Sequence, residues 1–101
     1  MEFRVKLSDE AEFDFYNIPD FYNQFREGLG EEAQDEVLHY LEKLKINAYF
    51  YQKRINEIRA CVTKRFHFGI FYFIDEQEKI VRVIGIINTK ENPLKITNRI
   101  N

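Results

Sequence analysis

The chain has 101 residues, of which 45% are hydrophobic and 16% aromatic, with ten Phe, six Tyr and no Trp. That length holds one domain, 1–101, and buries roughly two-thirds of its unfolded surface, so the composition excludes a disordered polypeptide and predicts a compact core. The net charge of −2 conceals a segregation: residues 1–42 carry 12 acidic and 3 basic side chains, whereas residues 43–65 carry 7 basic side chains against Glu57 alone.

Along the chain, Phe3-Arg4-Val5-Lys6-Leu7 alternates apolar and charged residues and predicts a half-buried strand. Ser8 suits a helix N-cap, because its hydroxyl accepts from an otherwise unpaired backbone N–H, and Asp9 and Glu10 then sit where the helix dipole favours negative charge. Ala11, Phe15, Ile18, Tyr22, Phe25 and Leu29 form one helical stripe. Pro19 interrupts it, so a kink or a restart near Asp20 is expected, and Gly28-Leu29-Gly30 closes the segment. A second stripe, Ala33, Val37, Tyr40, Leu41 and Leu44, completes an antiparallel helical hairpin.

Residues 46–53 break both periodicities and read as a connecting loop rich in aromatics, Tyr49-Phe50-Tyr51. Three strands are then predicted, at 55–63, 66–74 and 80–87, with Asp75-Glu76-Gln77-Glu78-Lys79 as a polar hairpin connection. Beyond Asn88 the chain turns polar and Pro93 discourages further strand. The expected class is α+β: an N-terminal strand, a helical hairpin and a three-stranded antiparallel meander, with helices packed on one face of the sheet. In the 55–63 strand, Ile58, Ala60 and Val62 are expected to face the helices, leaving Arg59 on the open face.

Several segments in this order resemble the RelE/ParE toxin superfamily, which includes plasmid-stabilisation proteins. Leu7-Ser8-Asp9-Glu10-Ala11 is similar to the family's strand-to-helix junction, and Tyr22 with Gly28-Leu29-Gly30 to its aromatic and interhelix turn. The run from Ile58 through Arg59 and Lys64-Arg65-Phe66-His67-Phe68 to Tyr72 resembles the central arginine strand and basic hairpin. Asn88-Thr89-Lys90-Glu91-Asn92-Pro93, followed by Arg99, resembles the closing motif. The resemblance implies a cytoplasmic toxin of a type II toxin–antitoxin system, neutralised by a cognate antitoxin. RelE-like members cut messenger RNA on the ribosome, and ParE-like members inhibit DNA gyrase. Two positions differ from the pattern: His67 stands where proline is usual, and Asn88 where histidine is usual. An alternative of a different class is a non-catalytic module of this fold that binds a partner without toxicity.

Cleaving RNA by 2′-hydroxyl attack requires a base, cationic groups at the phosphate and a proton donor for the leaving oxygen. The resemblance places Arg59, Lys64, Arg65 and Lys90 as candidate cations, and His67 is the nearby side chain that titrates near neutrality. The competing readings are structural: an Arg59–Glu57 ion pair, a hairpin edge guarded by Lys64 and Arg65, and a packed or surface histidine. Asn88 hydrogen-bonds but does not shuttle protons. The lone Cys61 cannot form an internal disulfide, and His39 and His67 offer no zinc-ligand spacing, so neither metal nor cofactor is expected. No run approaches the roughly 18 apolar residues of a membrane span. The basic stretch 43–65 suggests a positive surface for a polyanion or an acidic partner. Phe13 and Tyr16, off the first stripe, and Tyr49-Phe50-Tyr51 suggest an exposed aromatic patch that receives an antitoxin segment as a helix or added strand, with its acidic residues near 43–65. Ordinary core filling in a Trp-free domain is the competing account of these aromatics.

Overall fold

The computed structural model describes residues 2–90 and 94–100, leaving the side chains of residues 94 and 95 undescribed. The Glu91-Asn92-Pro93 part of the closing motif therefore lies outside the described residues. Strand β1 (Arg4–Leu7) is followed by helices α1 (Asp9–Tyr16), α2 (Ile18–Tyr22) and α3 (Leu29–Asn47). Strands β2 (Lys53–Ile55), β3 (Ile58–Val62), β4 (Phe68–Asp75) and β5 (Ile80–Asn88) follow, and then helix α4 (Leu94–Ile100). They form one sheet in the order β1-β5-β4-β3-β2, in which β1 runs parallel to β5 and the remaining pairs are antiparallel. Among the described residues no helix is long and apolar enough to cross a membrane.

The local signals act as anticipated at the first junction. The Ser8 hydroxyl accepts from the Ala11 amide at 3.1 Å, and Asp9, Glu10 and Glu12 occupy the first turn of α1. Pro19 falls in the first turn of α2, where a missing N–H is harmless, so the helix stops at Tyr16 and restarts at Ile18. The restart is short: α2 ends at Tyr22, and Gly28, at φ +86°, sits at the N-cap of α3 instead of closing a longer first helix. Gly30 is required for a different reason. A Cβ there would lie 2.2 Å from Pro19 Cα, so α2 and α3 cross backbone to backbone.

The second stripe packs as expected, with Ala33, Val37, Leu41 and Leu44 buried against Ile70, Tyr72, Val81 and Val83 of the sheet. The first stripe fails at one position: Phe25 is 68% exposed, because the chain beyond Tyr22 is turn and no longer repeats at 3.6 residues. The sheet departs from the three-strand expectation by one short edge strand. The expected 55–63 strand divides at Asn56, whose φ of +49° turns the chain between β2 and β3.

Its face assignment is inverted. Arg59 pairs with Tyr72 and Cys61 with Ile70, and Tyr72, Ile70 and Cys61 all belong to the helix-facing core. Ile58, Ala60 and the half-exposed Val62 occupy the other face. Alternation fixed which residues share a face, but both faces of this strand carry buried residues, so hydrophobicity could not choose between them. The second face is itself partly covered: α4 packs on β5 there, with Ile96 buried and a Cβ on Gly85 only 2.4 Å from its Cδ1.

Strand β1 pairs only with Ile80–Val83, and a register shift near Gly85 kinks β5 beyond that point. There Asp14 of α1 and Arg99 of α4 take the place of a neighbouring strand. The Ile86 amide donates to Asp14 Oδ2 at 3.0 Å, and Arg99 Nη1 donates to the Ile84 carbonyl at 3.2 Å. The two side chains, 8% and 12% exposed, also meet in a bidentate ion pair at 2.5 and 3.1 Å. Breaking a buried pair strands a charge. Asp14→Ala, which also orphans the Ile86 amide, is expected to lower the free energy of unfolding by about 3–5 kcal/mol, measured by urea denaturation.

Candidate functional site

The turn from β3 to β4 carries three of the sequence-predicted site residues. Helix α3 holds it: Glu36 accepts from the Arg65 amide at 2.6 Å and from the Phe66 amide at 2.9 Å. The Arg65 guanidinium meets Glu32 at 2.8 Å and stacks 4.6 Å from the Phe66 ring centroid. Hydrogen bonds from Arg65 and then Arg26 hold the Glu32 carboxyl below the usual carboxylate range. Lys64 is exposed and has no hydrogen bond or ion pair among the described residues. His67 is exposed at φ +59°, a backbone conformation that proline cannot adopt.

This turn lies beside the end of β5. The Thr89 amide donates to the His67 carbonyl at 3.0 Å, which brings Lys90 to the same end of the sheet. Asn88 is engaged at both side-chain atoms: its Nδ2 donates to the Tyr22 hydroxyl at 2.8 Å and its Oδ1 accepts from the Lys90 amide at 2.9 Å. Lys64, Arg65, His67 and Lys90 are therefore neighbours in the fold, although Arg65 is neutralised by α3.

Arg59 is elsewhere, inside β3, which ends at Val62 before the turn begins. Its Nη1 donates to the carbonyls of Tyr51 at 2.6 Å and Tyr49 at 3.3 Å, and its guanidinium lies 5.4 Å from the Tyr49 ring centroid. Beside it the buried Tyr72 hydroxyl donates to the Ala48 carbonyl at 2.6 Å. These two side chains fasten the C-terminal end of α3, where a cation complements the helix dipole. The Arg59–Glu57 pair is replaced by Lys53–Glu57 at 2.7 Å.

The positive surface expected over 43–65 is reduced in part, because Lys43, Arg54 and Lys64 stay exposed with no ion pair among the described residues. Lys45 pairs with Glu42, Lys53 with Glu57 and Arg65 with Glu32, and Arg59 binds carbonyls. In the same region burial, with a hydrogen bond to the Cys61 thiol, pushes Tyr51 up to about 12, and burial raises Cys61 and Tyr72 as well.

Asn88 and Lys90 also line a concavity. A groove of about 710 Å³ runs between α1–α2 and the free end of β5, floored by Phe68 and Ile86 and walled by Phe13, Phe21, Tyr22 and Phe25. Three of these rings are largely in solvent: Phe13 is 70% exposed, Phe21 52% and Phe25 68%. Phe13 was legible as an off-stripe aromatic, whereas Phe21 and Phe25 were not, because the stripe count assigned Phe25 to the core. Tyr49 and Phe50, exposed by 52% and 76%, lie at the far end of the sheet, where Tyr49 hydrogen-bonds Glu76.

No protein-family profile matches the chain, and none of the curated proteins matches it. Solved structures do. A chain of the chromosomal ParDE toxin–antitoxin system from P. aeruginosa matches with a TM-score of 0.77 at 15% identity, over 88% of this chain and 98% of that one. The chain has the RelE/ParE toxin fold. The RelBE2 toxin–antitoxin complex from Mycobacterium tuberculosis gives 0.65 at 13% identity, covering 87% of this chain and 99% of that one. A mutant of the E. coli toxin RelE in the free state gives 0.53 at 12%, with full coverage of both. At such identities the shared property of these RelE/ParE-type chains is the arrangement of strands and helices.

Two outcomes follow from this geometry. Arg59→Ala is expected to lower stability by about 1.5–3 kcal/mol in chemical denaturation, whereas Lys64→Ala should stay within about 0.5 kcal/mol. Above pH 10 an unfolded tyrosine releases its proton, while Tyr51 holds its own to about 12, so stability should fall as pH rises through that window. Tyr51→Phe should flatten the fall in a pH series of melting curves.

Proposed function

We propose that the chain is the toxin of a type II toxin–antitoxin pair, and that it arrests growth by binding its target instead of cutting RNA. The observation that carries this reading is the exposed aromatic groove on a RelE/ParE fold: three phenylalanines turned to water are costly for a monomer and useful to a partner. The partner is a cognate antitoxin, as the toxin–antitoxin neighbours suggest.

Of the two activities the resemblance implies, gyrase inhibition fits better than messenger RNA cleavage. Two of the residues proposed for phosphate chemistry are engaged elsewhere, Arg59 at the other end of β3 and Arg65 on Glu32, while Asn88, standing where the pattern has histidine, is bound to Tyr22 and Lys90. What favours cleavage is the proximity of Lys64, His67 and Lys90, linked by the Thr89–His67 bond.

Inducing the chain alone in a bacterial host tests the proposal. Growth arrest relieved by the adjacent small reading frame is expected, with gyrase-trapped DNA breaks and intact transcripts. Unchanged growth at confirmed soluble expression refutes the toxin reading, and cleaved transcripts refute the binding mechanism. The Phe13→Ala/Phe21→Ala variant should still arrest growth but lose most of the relief.

A further inference from the structure

The sheet ends at β1, and the outer side of that strand is open. The Arg4 and Ser8 amides donate to the Lys79 and Val83 carbonyls at 3.1 and 2.9 Å. In a parallel ladder alternate residues bond the same neighbour, so the N–H and C=O groups of Val5 and Leu7 turn away from β5. No described residue hydrogen-bonds them. On the same side the Phe3 amide donates to the Lys45 carbonyl at 2.8 Å, so α3 closes only the start of this edge. Other open stretches of the sheet are blunted. Beyond Val83 the Ile86 amide and Ile84 carbonyl of β5 are taken by Asp14 and Arg99, and β2 is three residues long with a shifted register.

A concavity of about 440 Å³ lies along the open side of β1, lined by Val5, Lys6, Leu7, Glu12 and Tyr16 and by no residue of β5. Val5 and Leu7 pack toward the helices, and Tyr16 is 69% exposed. Arg4 and Lys6 stand on the other face of the strand, exposed and without an ion pair among the described residues. Their neighbour Arg82, which pairs in register with Lys6, is bound to Asp75. Glu12, on α1, is the one carboxylate lining the concavity among the described residues, and no ion pair joins it to Lys6. These charges decide between occupants. Antiparallel pairing of β1 with a second copy through Val5 and Leu7 sets Lys6 opposite its own counterpart, at a non-hydrogen-bonded position where side chains come closest. The row that repels a second copy attracts carboxylates.

We propose that β1 takes an extended acidic segment of a partner protein as a further strand of the sheet. The backbone of that segment bonds Val5 and Leu7, and its carboxylates, at alternate positions, lie beside Arg4 and Lys6. The apolar side chains between them turn to the helix side, against Tyr16, and bring no like charge to Glu12. The site is distinct from the aromatic groove: α1 contributes Glu12 and Tyr16 to this one and Phe13, Asp14 and Asn17 to the other. It does not rest on the toxin reading.

Three short synthetic peptides titrated into the full chain test the proposal. One alternates Glu and Val, one alternates Lys and Val, and the third is the Glu/Val peptide N-methylated along its centre, which removes donors from both of its edges. The Glu/Val peptide should bind at least about tenfold more tightly than the Lys/Val peptide in low salt, with the preference shrinking as salt is added. N-methylation should weaken its binding by about tenfold or more. Amide hydrogen exchange at Val5 and Leu7 should slow by about tenfold or more when the Glu/Val peptide is bound. Arg4→Glu/Lys6→Glu, which changes exposed side chains only, should reverse the preference. No binding of either charged peptide, equal or tighter binding of the Lys/Val peptide, binding that survives N-methylation, or unchanged exchange at Val5 and Leu7 overturns the inference. The two readings fail separately: a chain that never arrests growth yet binds the Glu/Val peptide at β1 removes the toxin reading alone.

Discussion

Four residues of β1 pair with β5, and β5 then runs five residues further along β4 with no strand on its other side. An open edge inside a folded chain leaves backbone groups unpaired and invites pairing with other chains. Here the gap is closed by one acid from the first helix and one base from the last, Asp14 and Arg99, joined to each other and to the Ile86 amide and Ile84 carbonyl. Because the pair is almost wholly out of solvent, each member depends on the other. Three features follow. Helix α1 is fixed against the sheet, α4 is drawn onto Gly85, and the space between α1–α2 and β5 becomes a groove with a hydrophobic floor.

Charge is organised on the same principle. The acidic first half and the basic stretch from Lys43 to Arg65 fold against each other: Glu32 and Glu36 of α3 clamp the β3–β4 turn by side chain and by backbone. A segregation that looked like a binding surface is in good part an internal one. Of the cations left over, Lys64 and Lys90 lie at one end of the sheet, Lys43 on α3 and Arg54 on β2, and Arg59 holds the end of α3.

Elements whose signal is local were legible in the sequence. Ser8 and Pro19 set the bounds of α1, and the Ala33–Leu44 stripe set the buried face of α3. Failures came where a tertiary choice decided. Ile58, Ala60 and Val62 were rightly grouped, but which face met the helices depended on α4 covering the other side of the sheet, which no period-2 pattern records. Phe25 matched a helical repeat that had already ended at Tyr22. Among the candidate site residues, the nearness of His67 to Lys90 is a product of hairpin register, and the engagement of Arg59 and Arg65 a product of where α3 ends and lies. The groove was only partly visible, through Phe13, because its other walls come from a short helix and its floor from two strands.

A partly clasped basic region and an open aromatic groove are thus separate, and the proposed partner recognition belongs to the second. Hydrogen–deuterium exchange of the chain, free and in complex with the antitoxin proposed as its partner, tests that most directly. The account predicts new protection concentrated in residues 13–25 and 84–90, with 43–65 little changed. A stable complex that protects 43–65 and leaves the α1–α2 groove as exposed as before contradicts it.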